Sequence, residues 1–240
     1  MSVTPIFLEL VIMTTVDVVE KHPYGVFAVD IEATGANLFT DKCFAIGLAF
    51  GTDLNSYETH NVCLDLKKPE DSTWAQHWET CGFEKDCYDS FWSKNEDILN
   101  MLQDRSKVHL CKTEKAMVTK FQQLLGDIEK KFDKLTLVTD TTCFDTVWLT
   151  VLLQKYKYPG LAYKRDGNYR RGGSFETDSF RVGAYKVNPA IKREPWKDDE
   201  EFCSALTSPH DHHPEHDALF IYQTWWATVN VVTKNANTSQ

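Results

Sequence analysis

Residues 27–51, FAVDIEATGANLFTDKCFAIGLAFG, hold an apolar run, a charged break, a turn and a second apolar run. Phe27, Ala28 and Val29 suit a buried strand, and the second run predicts another beside it. Thr59–Leu66 predicts a third strand, and Asn95–Leu102 has helical spacing. Met117, Phe121, Leu124, Leu125 and Ile128 make an apolar stripe that predicts a helix over Thr113–Phe132, with Thr113 as its cap. Leu135–Val138 reads as a short buried strand and Phe144–Tyr156 as a helix. Phe175–Phe180 predicts a short strand leading into a helix around Val182–Tyr185. The last helix spans Glu215–Val231, with Leu219, Tyr222, Trp225 and Trp226 inward. Strands first, then helix and strand in alternation, predict an α/β fold with a mixed sheet.

Segments without a clear period fill in the organisation. Residues 67–94 are rich in Trp, Cys and acids and read as an ordered insertion, while 157–174 are a loop rich in Gly, Lys and Arg. With no internal repeat and no low-complexity linker, a single domain over 1–240 is expected. Residues 1–24 are its N-terminal extension and 232–240 a flexible tail. Val3–Val19 is apolar but short, is broken by Glu9 and lacks a basic start, so neither a signal peptide nor a membrane span is expected.

Composition changes the picture in two respects. The 240 residues carry a formal net charge of −9, so the overall field repels phosphate and any nucleic acid must be held by a local basic patch. Seven cysteines without a CxxC pair read as free thiols in a reducing compartment, which implies an intracellular protein, cytoplasmic or nuclear.

The charged break carries the candidate chemistry. Asp30 and Glu32 are two positions apart in a strand and so share a face. Desolvating adjacent carboxylates is costly, and a hard divalent ion such as Mg²⁺ or Mn²⁺ relieves it. A solvated strand end relieves it too. Asp145, after the strand at 135–138, and Asp217, in the first turn of the last helix, can complete the set. Each taken singly is explained by the preference of helix starts for carboxylates.

Taken in order, the three motifs resemble the DEDDh exonucleases, the DnaQ-like group within the ribonuclease H-like fold. They are VDIEATG at 29–35, CFD at 143–145 and HHPEHDA at 212–218, with supporting context in Ile46-Gly47 and Asp178-Ser179. The chain departs from the family pattern at Asp140-Thr141, where the family usually has His-Asn. It also departs at Ala45 and at Pro214. The resemblance implies a mixed sheet of three antiparallel strands followed by parallel ones, flanked by helices. It implies a 3′–5′ exonuclease with two divalent ions, Mg²⁺ or Mn²⁺, acting on DNA or RNA with a free, single-stranded 3′ end and releasing nucleoside 5′-monophosphates. Asp30 would bridge both ions, Glu32 and Asp217 would hold the one that binds the attacking water, and Asp145 would support the second. His212 would be the general base, and Ala33, Thr34 and Gly35 would lie against the terminal nucleotide, with Gly35 permitting close backbone approach.

Other readings of the same residues stand beside this one. Lys164, Arg165, Arg170 and Arg171 are interleaved with Tyr163 and Tyr169, which suits phosphate contact and base stacking, and equally suits a solvated loop. Cys203 with His210, His212, His213 and His216 matches no zinc-finger spacing, and a solvated loop with one catalytic histidine is expected there. His210 lies outside the family spacing and is expected only to occupy the loop. A non-catalytic nucleic-acid-binding module that keeps the fold is the alternative function.

Overall fold

The structure is a computed structural model that describes residues 21–106, 108–161, 174–187 and 194–237. Most of the N-terminal extension and of the basic loop, including Lys164, Arg165, Arg170 and Arg171, lies outside the described residues.

Three strands, β1 (Gly25–Ala33), β2 (Cys43–Asp53) and β3 (Ser56–Leu64), form an antiparallel meander. Helices α1 (Trp74–Cys81), α2 (Lys85–Ser90) and α3 (Glu96–Leu102) follow, with a 3-10 turn at Trp92–Lys94. The two-residue β4 (Leu110–Cys111) lies parallel to β3, and α4 (Glu114–Lys131) leads to β5 (Leu135–Thr139), parallel to β1. Then come α5 (Asp145–Lys155), β6 (Ser174–Glu176), parallel to β5, and α6 (Thr177–Ala184). Helices α7 (Glu200–Ala205) and α8 (Pro214–Asn237) complete the chain. The sheet order is β4-β3-β2-β1-β5-β6, the mixed arrangement expected from the sequence.

Several expected boundaries move, each for a local reason. The insertion over 67–94 is helical: Thr73 and Gln76 form a capping box on α1, and Glu84 caps α2. The strand expected at Phe175–Phe180 stops at Glu176, because the Glu176 carboxylate accepts the Ser179 amide and starts α6 there. Residues 232–237, expected as tail, continue α8. Ala227 and Val231 pack with Trp196 and Phe202, and Lys234 pairs with Glu201. Thr113 caps α4 as expected, its hydroxyl accepting the Ala116 amide.

Alternation along β1 assigns its two faces. Phe27, Val29 and Ile31 enter the larger core with Phe44, Phe121, Leu125 and Trp148. Val26 and Ala28 lie beneath α8, against Ala49, Ala218, Ile221, Tyr222 and Trp225. Asp30 and Glu32 continue this second face by the two-residue period. All nine residues of β1 are buried, so both carboxylates sit at a buried strand end rather than a solvated one.

The start of α8 reaches that face because β2 has no side chain at Gly47, the residue paired with Asp30. A Cβ there would overlap the carbonyl oxygen of Pro214 and stand 2.7 Å from the Glu215 nitrogen. Gly126, on α4, has nothing within 4 Å of such a Cβ. Gly47→Ala is therefore expected to cost about 1–3 kcal/mol or more, since backbone must move to admit it. Gly126→Ala is expected to stabilise by about 0.4–1 kcal/mol, since alanine is the better helix former. Urea denaturation of the two variants beside the parent measures both; equal midpoints for the pair would contradict this packing.

Candidate active site

Four carboxylates converge where β1 leaves the sheet. Asp30 and Glu32 come from β1, Asp145 from the first turn of α5 and Asp217 from the first turn of α8. Each is at most 8% exposed. Pairing of β1 with β5 covers only Gly25–Ala28, so the Ile31 amide has no strand partner on that side; it donates to Asp145 Oδ1 at 3.3 Å. Asp217 is held by two amides, its Oδ1 accepting from Asp211 (2.9 Å) and its Oδ2 from His212 (3.1 Å). Those amides point at Asp217 because the chain turns back through a left-handed residue, His212, at φ 66°. Histidine occupies this region more readily than most residues, but the conformation still costs about 1–2 kcal/mol.

The donor atoms fall into two groups, each lying within 4.8 Å of one another: Glu32 with His212 and Asp217, and Asp30 with Asp140 and Asp145. Asp30 Oδ2 and Asp145 Oδ2 are buried and find no hydrogen-bond partner among the described residues. Electrostatics match this geometry. Burial, then the charge of Glu32, holds Asp30 well above the usual carboxylate range, and burial followed by Asp217 does the same to Glu32. Burial and then Asp140 push Asp145 up to about 7. Asp217 is raised by burial, against a lowering by His210. An oxygen-rich, like-charged and partly unpartnered donor set of this kind fits hard divalent cations.

The histidines separate by environment. His212 meets the edge of Phe91, with ring centroids 4.6 Å apart, and its Nδ1 is 4.0 Å from Asp217 Oδ2. His213 is buried, and desolvation lowers its pKa; His216 hydrogen-bonds through Nδ1 to Asp211 at 3.1 Å. His210 does more than occupy the loop. It stacks flat on Phe220, and its Nε2 lies 3.6 Å from Asp217 and 3.8 Å from Asp140. Cys203 hydrogen-bonds to the carbonyl of Trp196, and among the described residues it joins no ligand group with the histidines.

Ala33, Thr34 and Gly35 are buried, and Gly35 has a packing role in the fold. Its added Cβ would overlap the Asp41 carboxylate and come within 2.8 Å of Glu84 Cβ, so internal packing demands the glycine. The Thr34 hydroxyl accepts the Lys42 amide, and its carbonyl accepts that of Glu84. Ala33 takes the indole N–H of Trp92. Asp140, His210 and Phe91 are the site residues that sequence reasoning missed. Asp140 carried no sequence sign of its own: the Ala28–Val138 register that brings it level with Asp30 is set by the β1–β5 pairing.

No protein-family model matches the sequence, and neither does any curated protein. Among solved structures the chain is similar to exonuclease I in an ExoI/SSB-Ct complex, at TM-score 0.51 and 13% identity over 89% of this chain and 42% of that one. It is similar to a product-bound exonuclease I at TM-score 0.50 and 13% identity, covering 89% and 44%. The metal-free form of the E. coli ExoI–ssDNA complex matches at TM-score 0.50 and 11% identity, covering 88% and 40%. The chain spans less than half the length of these proteins. What the likeness shows is a shared fold, the mixed sheet with flanking helices of the ribonuclease H-like type.

The raised carboxylates set a pH dependence. Asp145 ionises near its ordinary 3.8 in the unfolded chain but near 7 when folded. Between these values the folded state binds more protons, so stability falls as pH rises through the window. In EDTA the melting temperature is expected to drop from pH 5 to pH 8, and Asp145→Asn to flatten the drop. Saturating Mn²⁺ is expected to restore stability at pH 8. Thermal melts with and without the ion check this; stability rising with pH in EDTA would contradict it.

Proposed function

We propose that this chain is a metal-dependent 3′–5′ exonuclease acting on single-stranded DNA or RNA with a free 3′ end and releasing nucleoside 5′-monophosphates. The observation that carries the reading is the convergence of Asp30, Glu32, Asp145, Asp217 and His212 around buried carboxylate oxygens that lack partners. The fold shared with exonuclease I supports it.

Two hard ions, Mg²⁺ or Mn²⁺, would suit the donor set: Glu32 and Asp217 would hold one, Asp145 the other, and Asp30 would contribute to both. Bound together, such ions stabilise the attacking and leaving oxygens of an in-line phosphoryl displacement. The rest of the work falls to the chain. Backbone amides fix both oxygens of Asp217, and the Ile31 amide fixes one of Asp145, so these carboxylates need no reorganisation during reaction. His212 accepts the proton of the attacking water. It is favoured over His210 because its ring nitrogen is grouped with Glu32 and Asp217, and the Phe91 edge fixes its plane. Outside the described residues, Lys164, Arg165, Arg170 and Arg171 hold substrate phosphates; Ala33, Thr34 and Gly35 shape the floor beneath the terminal nucleotide.

Digestion of 5′-labelled DNA and RNA oligonucleotides tests the function. Shortening from the 3′ end with Mg²⁺ or Mn²⁺ is expected, with none in EDTA and none for Asp30→Ala; activity persisting in either sinks the reading. Single-turnover rates test the base. His212→Ala is expected to lose about 10²–10⁴-fold while still binding Mn²⁺, and His210→Ala, His213→Ala and His216→Ala far less. A larger loss in any of those three reassigns the role. Replacing Lys164, Arg165, Arg170 and Arg171 together with Ala is expected to weaken binding and flatten its salt dependence with little change in saturated turnover; unaltered affinity across salt would make the loop a bystander.

A further inference from the structure

Asp140 is the first residue beyond β5, and extending the Ala28–Val138 register by two residues brings it level with Asp30 of β1. One carboxylate oxygen from each of Asp30, Asp140 and Asp145 lies within 4.8 Å of the other two. Ligands of a six-coordinate Mg²⁺ at about 2.0–2.1 Å stand roughly 3–4 Å apart, so the three oxygens need contract only slightly to share one ion. Two of the three carboxylates carry an oxygen in want of a partner, because Asp30 Oδ2 and Asp145 Oδ2 have none among the described residues, in residues 8% and 2% exposed. Asp140 is only partly buried, with a side chain 27% exposed and His210 Nε2 at 3.8 Å. It therefore adds a partly solvated carboxylate beside the buried pair.

We propose that Asp140 is a further metal ligand, giving the ion held by Asp30 and Asp145 a third carboxylate. The alternatives within the structure are a role as counter-charge to His210 or as a purely structural group at the turn before α5. A ligand role differs from both in its consequence. It makes the two ion sites unequal in their dependence on residue 140, since Glu32, His212 and Asp217 form a separate group. It also raises the negative charge at one ion, which tightens that ion without adding a contact to the other.

The proposal rests on the metal-dependent reading above, and direct ion binding separates the two. Mn²⁺ is titrated by calorimetry and electron paramagnetic resonance into the whole chain, Asp140→Asn and His210→Ala, without substrate. The parent is expected to bind two ions. Asp140→Asn is expected to weaken one by about 10–100-fold and leave the second within twofold; His210→Ala is expected to leave both unchanged. In EDTA, Asp140→Asn is expected to melt at or above the parent temperature, because a repulsive charge has gone. Unchanged affinities in Asp140→Asn overturn the proposal while leaving the metal reading intact. An equal loss in His210→Ala assigns the effect to that pair, and a lower melting temperature in EDTA assigns it to folding; either overturns it. A parent that binds no Mn²⁺ overturns the metal reading and this proposal with it.

Discussion

The close approach of α8 to the sheet at Gly47 is the constraint on which the site depends. Asp30 faces α8 from β1, and its pairing partner on β2 has no side chain, so the Pro214 carbonyl can lie against the strand. Ala28, Ala49 and Ala218 pack together in this interface, beside the larger Tyr222 and Trp225. The first turn of α8 then sits over the end of β1, and Asp217 meets Glu32 across a few ångströms. A larger residue at 47 would separate those carboxylates without altering any of them.

What the approach brings together is mutually repulsive. Asp30, Glu32, Asp145 and Asp217 share one buried corner with the partly buried Asp140 beside it, and only some of their oxygens accept backbone amides. Burial and neighbouring charge raise Asp30, Glu32 and Asp145 together, so the remaining oxygens favour a proton or a cation. The hydrophobic core on both faces of β1 supplies the stability that this corner removes.

Local patterns made the strands, the long helices and the acidic motifs legible. Asp30 and Glu32 interrupt an apolar strand, and Met117, Phe121, Leu125 and Ile128 mark α4 by spacing alone. Features set by tertiary contact were not legible. The two-residue β4 exists only as a partner for β3, and α6 begins early because Glu176 folds back onto it. The insertion showed no period because its aromatics, among them Trp74, Trp92 and Tyr88, point into a core shared with the sheet. His210 joined the acids through the φ 66° turn at His212, which no spacing rule contains. The tight fit of Gly35 against Asp41 and Glu84 is likewise set by tertiary contact.

The contact between Phe91 and His212 has a bearing on how this protein opens. Phe91 adjoins Trp92, which is 1% exposed, packs edge-on to Phe44 of β2 and donates its indole proton to the end of β1. The segment that steadies the imidazole thus belongs to the same cooperative unit as the central strands rather than to a loosely attached lid. Sub-global fluctuations that free the segment must also expose core aromatics, which places them near the top of the free-energy ladder of partial unfolding. Alignment of His212 and integrity of the sheet are then expected to fail together on heating.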